Sequence, residues 1–372
     1  MELSLLSTKT SMGRRALDKY NIDGHKLDMH PERVAQWLGG NKLEVYPIYI
    51  EISPSGACNH RCTFCAVDYI GYKPNILSME SLKSAISIMA KQQVRSIMFA
   101  GEGEPLLHKG LAQIINYTKS VGIDVAITTN GTLMTPAFID ECIESISWIK
   151  ISLNAGNAET YAKVHQTKIE DWDKVWKNIC YAAHCKVNTT LGIQMVVLPE
   201  NIDTIEELAM DAKCAGVDYV VLKPYSQHLS SVETAKRYAG LKYESPEHMA
   251  REMEKFNDEF FQVITRDKSM QVANSDERSY HKCYSTPFMW AYIMATGDVY
   301  GCSAYLLDER FKYGNINEQS FSEIWEGPRR EAAIKFVEEK LDISECRKNC
   351  RMDKANKYLW DIKHPGEHAN FI

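Results

Sequence analysis

Short runs of β-branched and aliphatic residues alternate with amphipathic helical patterns from Val45 to Lys223. One helical pattern follows Ser78, a residue type that caps helices, and another opens at Thr135-Pro136 in the cap-then-proline order of helix starts. Six successive strand-helix units predict a parallel sheet with right-handed crossovers, curled into a barrel with its ligands at the carboxyl ends of the strands. The predicted strands are 45–52, 95–99, 124–129, 148–153, 191–198 and 219–223.

The pattern changes on both sides of these units. Before them, Lys9–Lys19 and Glu32–Leu38 predict two short helices of an N-terminal appendage. After them, Glu247–Thr265 predicts a helix, and 290–302 predicts two strands joined by a Gly-Asp turn, as in a hairpin. We therefore divide the chain into a helical appendage (1–44), a barrel (45–270), a small α+β domain (271–351) and a tail (352–372).

Composition and charge exclude several classes of protein. Of 372 residues, 45% are hydrophobic and 25% are charged, which is typical of a globular chain long enough for one large and one small domain. The formal net charge of −6 argues against a nucleic-acid-binding protein, which would carry a basic stripe. No apolar run is long enough to cross a membrane, and the N-terminus lacks the hydrophobic core of a signal peptide, so we expect a cytoplasmic protein.

Three cysteines form the most chemically specific stretch of the chain. Cys58, Cys62 and Cys65 follow the first predicted strand at Cys-x3-Cys-x2-Cys spacing. Three thiolates are one too few to close a four-iron cluster, so one iron would stay open for a chelating small molecule. Structural zinc is the alternative, and His60 in the same loop could supply its fourth ligand.

With Phe64 just before the last cysteine, this spacing resembles the cluster loop of the radical S-adenosylmethionine (radical SAM) enzymes. The resemblance implies an α/β fold, a partial (β/α)6 TIM-like barrel, with SAM and a 4Fe-4S cluster as cofactors. In that family the methionyl amine and carboxylate of SAM bind the open iron. Phe64 is then expected beside SAM.

The end of the second predicted strand carries a glycine-rich turn with two glutamates. Its sequence, Gly101-Glu102-Gly103-Glu104-Pro105, resembles the radical SAM motif that binds the SAM amino group. Glycines let the backbone approach a ligand, and a carboxylate can complete an ammonium site. The resemblance makes Gly103 and Glu104 the expected contacts, because Glu104 is next to the proline, whereas Glu102 is additional to the usual motif.

Two further strand ends carry polar residues. Thr129 ends the third predicted strand, and Ser152 and Asn154 lie at the end of the fourth. These positions resemble those that bind the ribose and methionyl carboxylate of SAM in the family. Ordinary turn residues are the alternative at each position.

Four further cysteines, Cys283, Cys302, Cys346 and Cys350, occur at hairpin-then-helix spacing near the C-terminus. The arrangement resembles the SPASM extension of radical SAM enzymes, or its shortened twitch form. It implies one auxiliary 4Fe-4S cluster in the small α+β domain, since four thiolates would close every iron. A tetrahedral zinc site is the alternative.

The resemblance implies that a 5′-deoxyadenosyl radical abstracts a hydrogen atom from a small-molecule substrate. We expect a sugar, cyclitol or nucleotide-linked sugar, oxidised by two electrons with the auxiliary cluster as electron acceptor. Lys223 and His228, at the end of the sixth strand, are the candidate bases for a substrate hydroxyl. The electron donor would be a flavodoxin or a ferredoxin, and we expect no nucleic-acid or membrane partner.

Three other functions stay open. A radical SAM epimerase would return hydrogen to the substrate from a cysteine thiol. A peptide-modifying maturase often carries a separate leader-recognition domain, for which the segment before Val45 is too short. A non-catalytic metal-binding scaffold would hold zinc and would not cleave SAM.

Overall fold

The computed structural model describes residues 20–226, 228–231, 233–275, 278–347 and 349–371. The predicted helix over Lys9–Lys19 lies outside the described residues. The strands are β1 (Tyr49–Ile52), β2 (Ser96–Phe99), β3 (Asp124–Thr129), β4 (Trp148–Ser152), β5 (Thr190–Val197), β6 (Tyr219–Pro224), β7 (Gln262–Thr265), β8 (Trp290–Ile293), β9 (Asp298–Tyr300) and β10 (Lys312–Asn315). They form one sheet in the spatial order β10-β9-β8-β1-β2-β3-β4-β5-β6-β7.

The helices flank this sheet, and both predicted helix starts are confirmed. The Ser78 side chain accepts a hydrogen bond from the N–H of Ser81, and Thr135 accepts one from Phe138. Among the described residues, no helix combines the length and the apolar character needed to cross a bilayer. The α-helices are α1 (Pro31–Gly39), α2 (Met79–Lys91), α3 (Leu111–Ser120), α4 (Pro136–Cys142), α5 (Ala158–His165), α6 (Asp171–Cys185), α7 (Ile205–Cys214), α8 (Glu233–Arg237), α9 (Pro246–Met253), α10 (Asp267–Asn274), α11 (Phe321–Trp325), α12 (Pro328–Glu339) and α13 (Asp353–Lys363).

Strands β1 to β7 pair in parallel with their neighbours, as the strand-helix alternation predicts. Alternate side chains of each strand point to opposite faces of the sheet. On one face, residues such as Ile97, Ile149 and Ile151 belong to the apolar core that includes the buried helix residues. On the other face, Lys150 and Ser152 line a cavity at the carboxyl ends of the strands.

The segment predicted as one helix over Glu247–Thr265 has a different structure. Helix α9 ends at Met253, one 3-10 turn follows, and β7 then pairs in parallel with β6. Asp258 stops the helical region, because its carboxylate accepts hydrogen bonds from the N–H groups of Phe260 and Phe261 and closes a turn. The prediction is therefore wrong at its end, and the barrel has a seventh parallel strand.

The predicted hairpin is confirmed, and it belongs to the same sheet as the barrel. Strands β8 and β9 pair antiparallel around a turn that contains Gly297, where φ is +88°. Strand β8 also pairs in parallel with β1, with Trp290 opposite Tyr49. The first barrel strand is thus paired on both edges. The sheet continues from the barrel into the C-terminal region without a break.

The N-terminal segment and the tail pack against each other. Val34 and Trp37 of α1 lie in one apolar cluster with Ile334 of α12 and Leu359 of α13. Arg330, fully buried in α12, connects the N-terminal segment to the C-terminal region, and its guanidinium lies 4.1 Å from the ring centroid of Trp325. It donates hydrogen bonds to the carbonyl oxygens of Lys42, Leu43, Val45, Pro287 and Trp325.

Arg330→Met should lower the free energy of unfolding by about 3–4 kcal/mol, because it leaves several buried carbonyl groups without a donor. Arg329→Met is the matched control, since the neighbouring Arg329 side chain is 56% exposed and pairs with Glu309 at the surface. The measurement is the urea midpoint of each purified variant. Equal midpoints for the two variants would contradict a joining role for Arg330.

Candidate functional site

A cavity of about 310 Å³ opens at the carboxyl ends of the barrel strands. It brings together residues that are far apart in the sequence, and most of the predicted site residues line it. Asn154 is not among the lining residues. Those that line it are Cys58, Cys62, Phe64, Cys65, Gly103, Glu104, Thr129, Ser152, Lys223 and His228.

The cysteine loop docks on the end of helix α5. The backbone N–H groups of Arg61 and Thr63 donate to the carbonyl oxygens of His165 and Val164, at 3.1 and 2.9 Å. The loop cysteines are free thiols. Burial, followed by the charges of its two neighbouring cysteines, raises the pKa of Cys62 well above its usual range. Partly buried thiols whose charges act on one another ionise together more readily beside positive charge, so the loop suits a metal centre.

His165 is a residue of this site that the sequence analysis missed. Its Nε2 donates to the carbonyl oxygen of Leu153 at 2.7 Å, and its Nδ1 lies 3.2 Å from Cys62 Sγ. The ligand atoms of His60, Cys62 and His165 lie within 4.8 Å of one another, so the zinc alternative would have a second histidine. The available signal was a histidine soon after the fourth strand, at the sheet edge that carries the cysteine loop.

The glycine-glutamate turn packs directly against the start of the cysteine loop. The N–H of Glu104 donates to the carbonyl oxygen of Ala57 at 2.8 Å. A Cβ on Gly103 would lie 2.3 Å from the carbonyl oxygens of both Ser55 and Ala57. Because real Cβ atoms do not approach backbone that closely, only glycine fits at this position.

The two glutamates of the turn have different surroundings. Glu104 faces the cavity, and its carboxylate accepts hydrogen bonds from Thr129 Oγ1 at 2.6 Å and from the N–H of Asn130 at 2.9 Å. Burial nevertheless raises its pKa to about 7. Glu102 faces the C-terminal sheet, where it accepts from the Tyr292 hydroxyl at 3.0 Å. The geometry therefore favours Glu104 over Glu102 as a ligand-facing carboxylate.

Ser152 and Asn154 also differ. Ser152 lines the cavity, and its contact with a cofactor stays a prediction. Asn154 is fully buried in a left-handed conformation with φ of +53°. Its Oδ1 accepts a hydrogen bond from the N–H of Val196 at 2.8 Å, so the side chain connects the end of β4 to β5.

The four C-terminal cysteines are also free thiols, and they are near enough for their charges to act on one another. Burial raises the pKa of Cys302, and the charges of Cys350 and Cys283 raise it further. The pKa of Cys350 is raised in the same way, by burial first and then by Cys283 and Cys346. Four sulfur donors in one place suit a closed 4Fe-4S cluster or a zinc ion.

Comparison with known families favours an iron-sulfur cluster over a zinc ion at both cysteine sites. The model of the radical SAM superfamily matches residues 52–212, which contain the first three cysteines and the glycine-glutamate turn. The model of an iron-sulfur cluster-binding domain, SPASM, matches residues 283–351, which contain the other four. The chain carries a radical SAM domain and a SPASM domain. The radical SAM domain binds SAM and a 4Fe-4S cluster, and the SPASM domain is an auxiliary iron-sulfur domain.

Curated relatives of this chain differ in their names and in the share of each sequence that aligns. GTP 3′,8-cyclase of Chlorobaculum tepidum is 27% identical over 190 residues, which are 48% of this chain and 55% of the relative. The tungsten-containing aldehyde ferredoxin oxidoreductase cofactor-modifying protein of Pyrococcus furiosus is 22% identical over 301 residues, 76% of this chain and 81% of the relative. The chain spans about half the length of the GTP 3′,8-cyclases that it matches.

The fold of this chain is also found in solved structures. Streptococcus suis SuiB bound to S-adenosylmethionine aligns with a TM-score of 0.64 and 17% identity, covering 83% of this chain and 72% of that one. SuiB bound to its precursor peptide SuiA aligns with a TM-score of 0.61. At this level of identity the likeness shows the fold alone.

The nitrogen atoms of the two candidate bases, Lys223 and His228, differ in their hydrogen bonds and in their pKa values. His228 Nδ1 accepts from the N–H of Ser230 at 3.0 Å, and Nε2 donates to the carbonyl oxygen of Ser303 at 3.2 Å. Burial lowers the pKa of His228 to about 4, so the ring is neutral and has no free lone pair. Burial, with neighbouring cations, lowers the pKa of Lys223 to about 7. Of the two, only Lys223 is available to take up a proton near neutral pH.

Lys150 is a second cavity residue that the sequence analysis missed. It lies on β4 two residues before Ser152, on the same face, and lines the cavity. Burial lowers its pKa to about 8. The available signal was a lysine between two isoleucines in a parallel strand, a setting that is usually apolar on both faces.

Proposed function

We propose that this protein is a radical SAM oxidoreductase that oxidises a small polar substrate of the carbohydrate type by two electrons, with an auxiliary cluster as electron acceptor. The observation that carries the proposal is the shared cavity. The cysteine loop, the turn at Gly103 and Glu104, and the lysines of β4 and β6 all line one space of about 310 Å³. Its size suits a small molecule.

The proposed residue roles follow from this arrangement. We assign one cluster to Cys58, Cys62 and Cys65, and the auxiliary cluster to the four cysteines at 283, 302, 346 and 350. When bound and reduced, the first cluster with SAM supplies a 5′-deoxyadenosyl radical that removes a hydrogen atom from an unactivated carbon. Around it, the chain supplies position and exclusion of water. Gly103 and Glu104 would bind the SAM amino group, and Phe64, Thr129 and Ser152 the rest of SAM.

Oxidation of an alcohol also requires removal of the hydroxyl proton. Lys223 is the candidate acceptor, because a pKa of about 7 leaves a large fraction of its amine neutral at neutral pH. The balance is then one hydrogen atom to the deoxyadenosyl carbon, one proton to the amine and one electron to the auxiliary cluster. The carbonyl product keeps its carbon skeleton.

Modification of a peptide is the second candidate. The fold likeness to SuiB, which has been solved with its precursor peptide, supports it at the level of architecture. The two candidates differ in what stimulates turnover of SAM. A peptide maturase would cleave SAM productively with a peptide and with no sugar.

The test is anaerobic reconstitution with iron and sulfide. We expect about eight irons per chain, four for each cluster, and cleavage of SAM to 5′-deoxyadenosine on reduction by flavodoxin, ferredoxin or dithionite. A panel of sugars, cyclitols and nucleotide sugars, with a peptide panel beside it, then identifies the substrate class. Zinc in both sites with no cleavage of SAM would contradict the proposal and favour a scaffold.

Solvent deuterium separates the two net reactions within the enzyme proposal. Oxidation of a secondary alcohol to a ketone leaves the reacting carbon without hydrogen. Epimerisation through a cysteine thiol places one deuterium on that carbon in deuterium oxide. Deuterium at the reacting carbon of the product would therefore overturn the oxidation and support the epimerase.

A further inference from the structure

Cationic side chains collect in the cavity of a chain whose formal net charge is −6. The charged Lys, Arg, Asp and Glu residues that line the cavity, among the described residues, are four cations and two carboxylates. The cations come from separate parts of the fold, two from the barrel strands and two from the C-terminal region. They are Lys150, Lys223, Arg347 and Arg351, and the carboxylates are Glu51 and Glu104.

Only part of this positive charge is neutralised by the chain itself. Arg351 forms an ion pair with Glu51. Glu104 accepts its hydrogen bonds from a threonine hydroxyl and backbone N–H groups and not from a cation. Over the described part of the chain, neither Lys150 nor Lys223 forms an ion pair.

Arg347 is incompletely satisfied as well. Its Nη2 donates to Ser303 Oγ at 2.9 Å, a neutral acceptor, and its buried Nε has no hydrogen-bond partner among the described residues. An arginine carries five N–H donors, and a buried one without an acceptor costs free energy. A ligand oxygen atom would satisfy it.

Lys150 and Arg347 are each close enough to Lys223 to affect its pKa, and Arg347 also lies near the thiols of the C-terminal cysteines. Burial is the main cause of the lowered pKa of Lys223, and the next causes are the charges of Lys150, Arg266 and Arg347. Of these, Arg266 pairs with Asp23 at 3.1 Å and is not a lining residue. Holding like charges together away from water is unfavourable unless a ligand compensates for them.

We propose that Lys150, Lys223 and Arg347 bind a phosphate group of the substrate. The proposal deepens the proposed function and rests on it, since it names the substrate class as a phosphorylated small molecule, a sugar phosphate or a nucleotide. In the phosphate complex Lys223 is an ammonium donor and not the acceptor of the hydroxyl proton. Two ammonium groups act as compact point charges, and the guanidinium adds directed N–H donors, a combination that suits the oxygens of a phosphate dianion. A carboxylate group on the substrate is also an anion, but it carries one negative charge where a phosphate dianion carries two.

The test is isothermal titration calorimetry on the anaerobically reconstituted full chain with SAM present. The probes are ribose 5-phosphate against ribose, and glucuronate against glucose. We expect ribose 5-phosphate to bind at least about tenfold more tightly than ribose, because each hydrogen bond to a charged group contributes about 1.5–3 kcal/mol. Lys150→Met and Lys223→Met should each weaken the phosphate probe by about tenfold or more.

The matched control is Lys91→Met, which replaces an exposed lysine at the end of α2 and should leave the affinity unchanged. Lys223→Arg separates binding from proton transfer, because arginine keeps the positive charge and should keep most of the affinity for the phosphate probe. Between pH 7 and 9 the affinity should fall as Lys223 and then Lys150 lose their protons, since a phosphate monoester is already a dianion there.

Three results would overturn the phosphate assignment. Equal affinity for ribose and ribose 5-phosphate, including no binding of either, would remove it. Tighter binding of glucuronate than of ribose 5-phosphate would assign the cations to a carboxylate. Loss of SAM affinity in the lysine variants, with unchanged affinity for the phosphate probe, would assign them to the cofactor. The proposed function is tested separately, because cleavage of SAM by the wild-type protein does not depend on any of these outcomes.

Discussion

Gly103→Ala should reduce the cleavage of SAM to 5′-deoxyadenosine by about 100-fold. The added methyl group pushes the cysteine loop away from the turn, and a small displacement of the reacting groups is enough for a loss of this size. The added Cβ would meet two carbonyl oxygens at 2.3 Å, those of Ser55 and Ala57. Both belong to backbone that leads directly into Cys58, and backbone cannot move aside as a flexible side chain can. The turn and the loop must therefore separate, and the hydrogen bond from the N–H of Glu104 to Ala57 is lost with them.

The measurement combines iron content, SAM binding and 5′-deoxyadenosine formation in the anaerobic protein. Gly39→Ala is the matched control, since a Cβ at Gly39 meets no atom within 4 Å and the variant should behave like the wild type. A circular dichroism melting curve shows whether Gly103→Ala is still folded. Unchanged SAM cleavage in a folded Gly103→Ala protein would show that the turn does not position the cluster loop.

The barrel strands could be predicted because their signal is local. A β-branched run followed by a capped amphipathic helix determines each of the six predicted units, and right-handed crossovers then arrange them in parallel. The seventh strand was missed because Gln262–Thr265 is only four residues long and directly follows a helical pattern. At that length an apolar run fits a helix end and a strand equally well, and only pairing with β6 decides.

The position of β8 beside β1 could not be predicted for a related reason. The two strands are more than 200 residues apart in the sequence, and their register depends on the finished barrel edge. The same limit applies to Glu102. Its motif places it near a ligand, whereas its hydrogen bond to Tyr292 depends on that long-range pairing.

In the candidate site, too, the residues that belong to local motifs could be predicted and the others could not. Cysteine spacing and the glycine-glutamate turn are local, so the resemblance to radical SAM enzymes identified most of the residues that line the cavity. Lys150 and His165 were missed because neither belongs to a motif. Closure of the barrel turns the polar face of β4 into a cavity wall, and docking of the loop on α5 brings His165 to Cys62. The cationic character of the cavity is therefore a property of the fold and not of any one segment.

Cys283→Ala should impair the function of the auxiliary metal centre and leave the function of the SAM-binding centre intact. We expect the auxiliary cluster to be altered or lost, with iron falling below about eight per chain, because one of its irons loses its thiolate ligand. SAM binding and cleavage to 5′-deoxyadenosine should persist, since Cys58, Cys62 and Cys65 belong to the other centre and lie in the barrel. Oxidised product should disappear, because the substrate radical has lost its electron acceptor. The measurement is the ratio of product to 5′-deoxyadenosine, with iron determined on the same sample.

Cys180→Ala is the matched control, because Cys180 is an exposed thiol on α6 and its replacement should change neither iron nor product. The variant at 283 also removes a weak contact, since the Asn356 side chain donates to Cys283 Sγ at 3.6 Å. Cys346→Ala keeps that contact and removes a different one, between the Tyr305 hydroxyl and Cys346 Sγ at 3.2 Å. It should give the same separation of product from 5′-deoxyadenosine, so agreement between the two variants attributes the loss to the metal centre. Unaltered oxidation in both cysteine variants would show that the auxiliary cluster takes no part in the reaction. Loss of SAM cleavage in both variants would show that the C-terminal centre acts on the shape of the cavity instead.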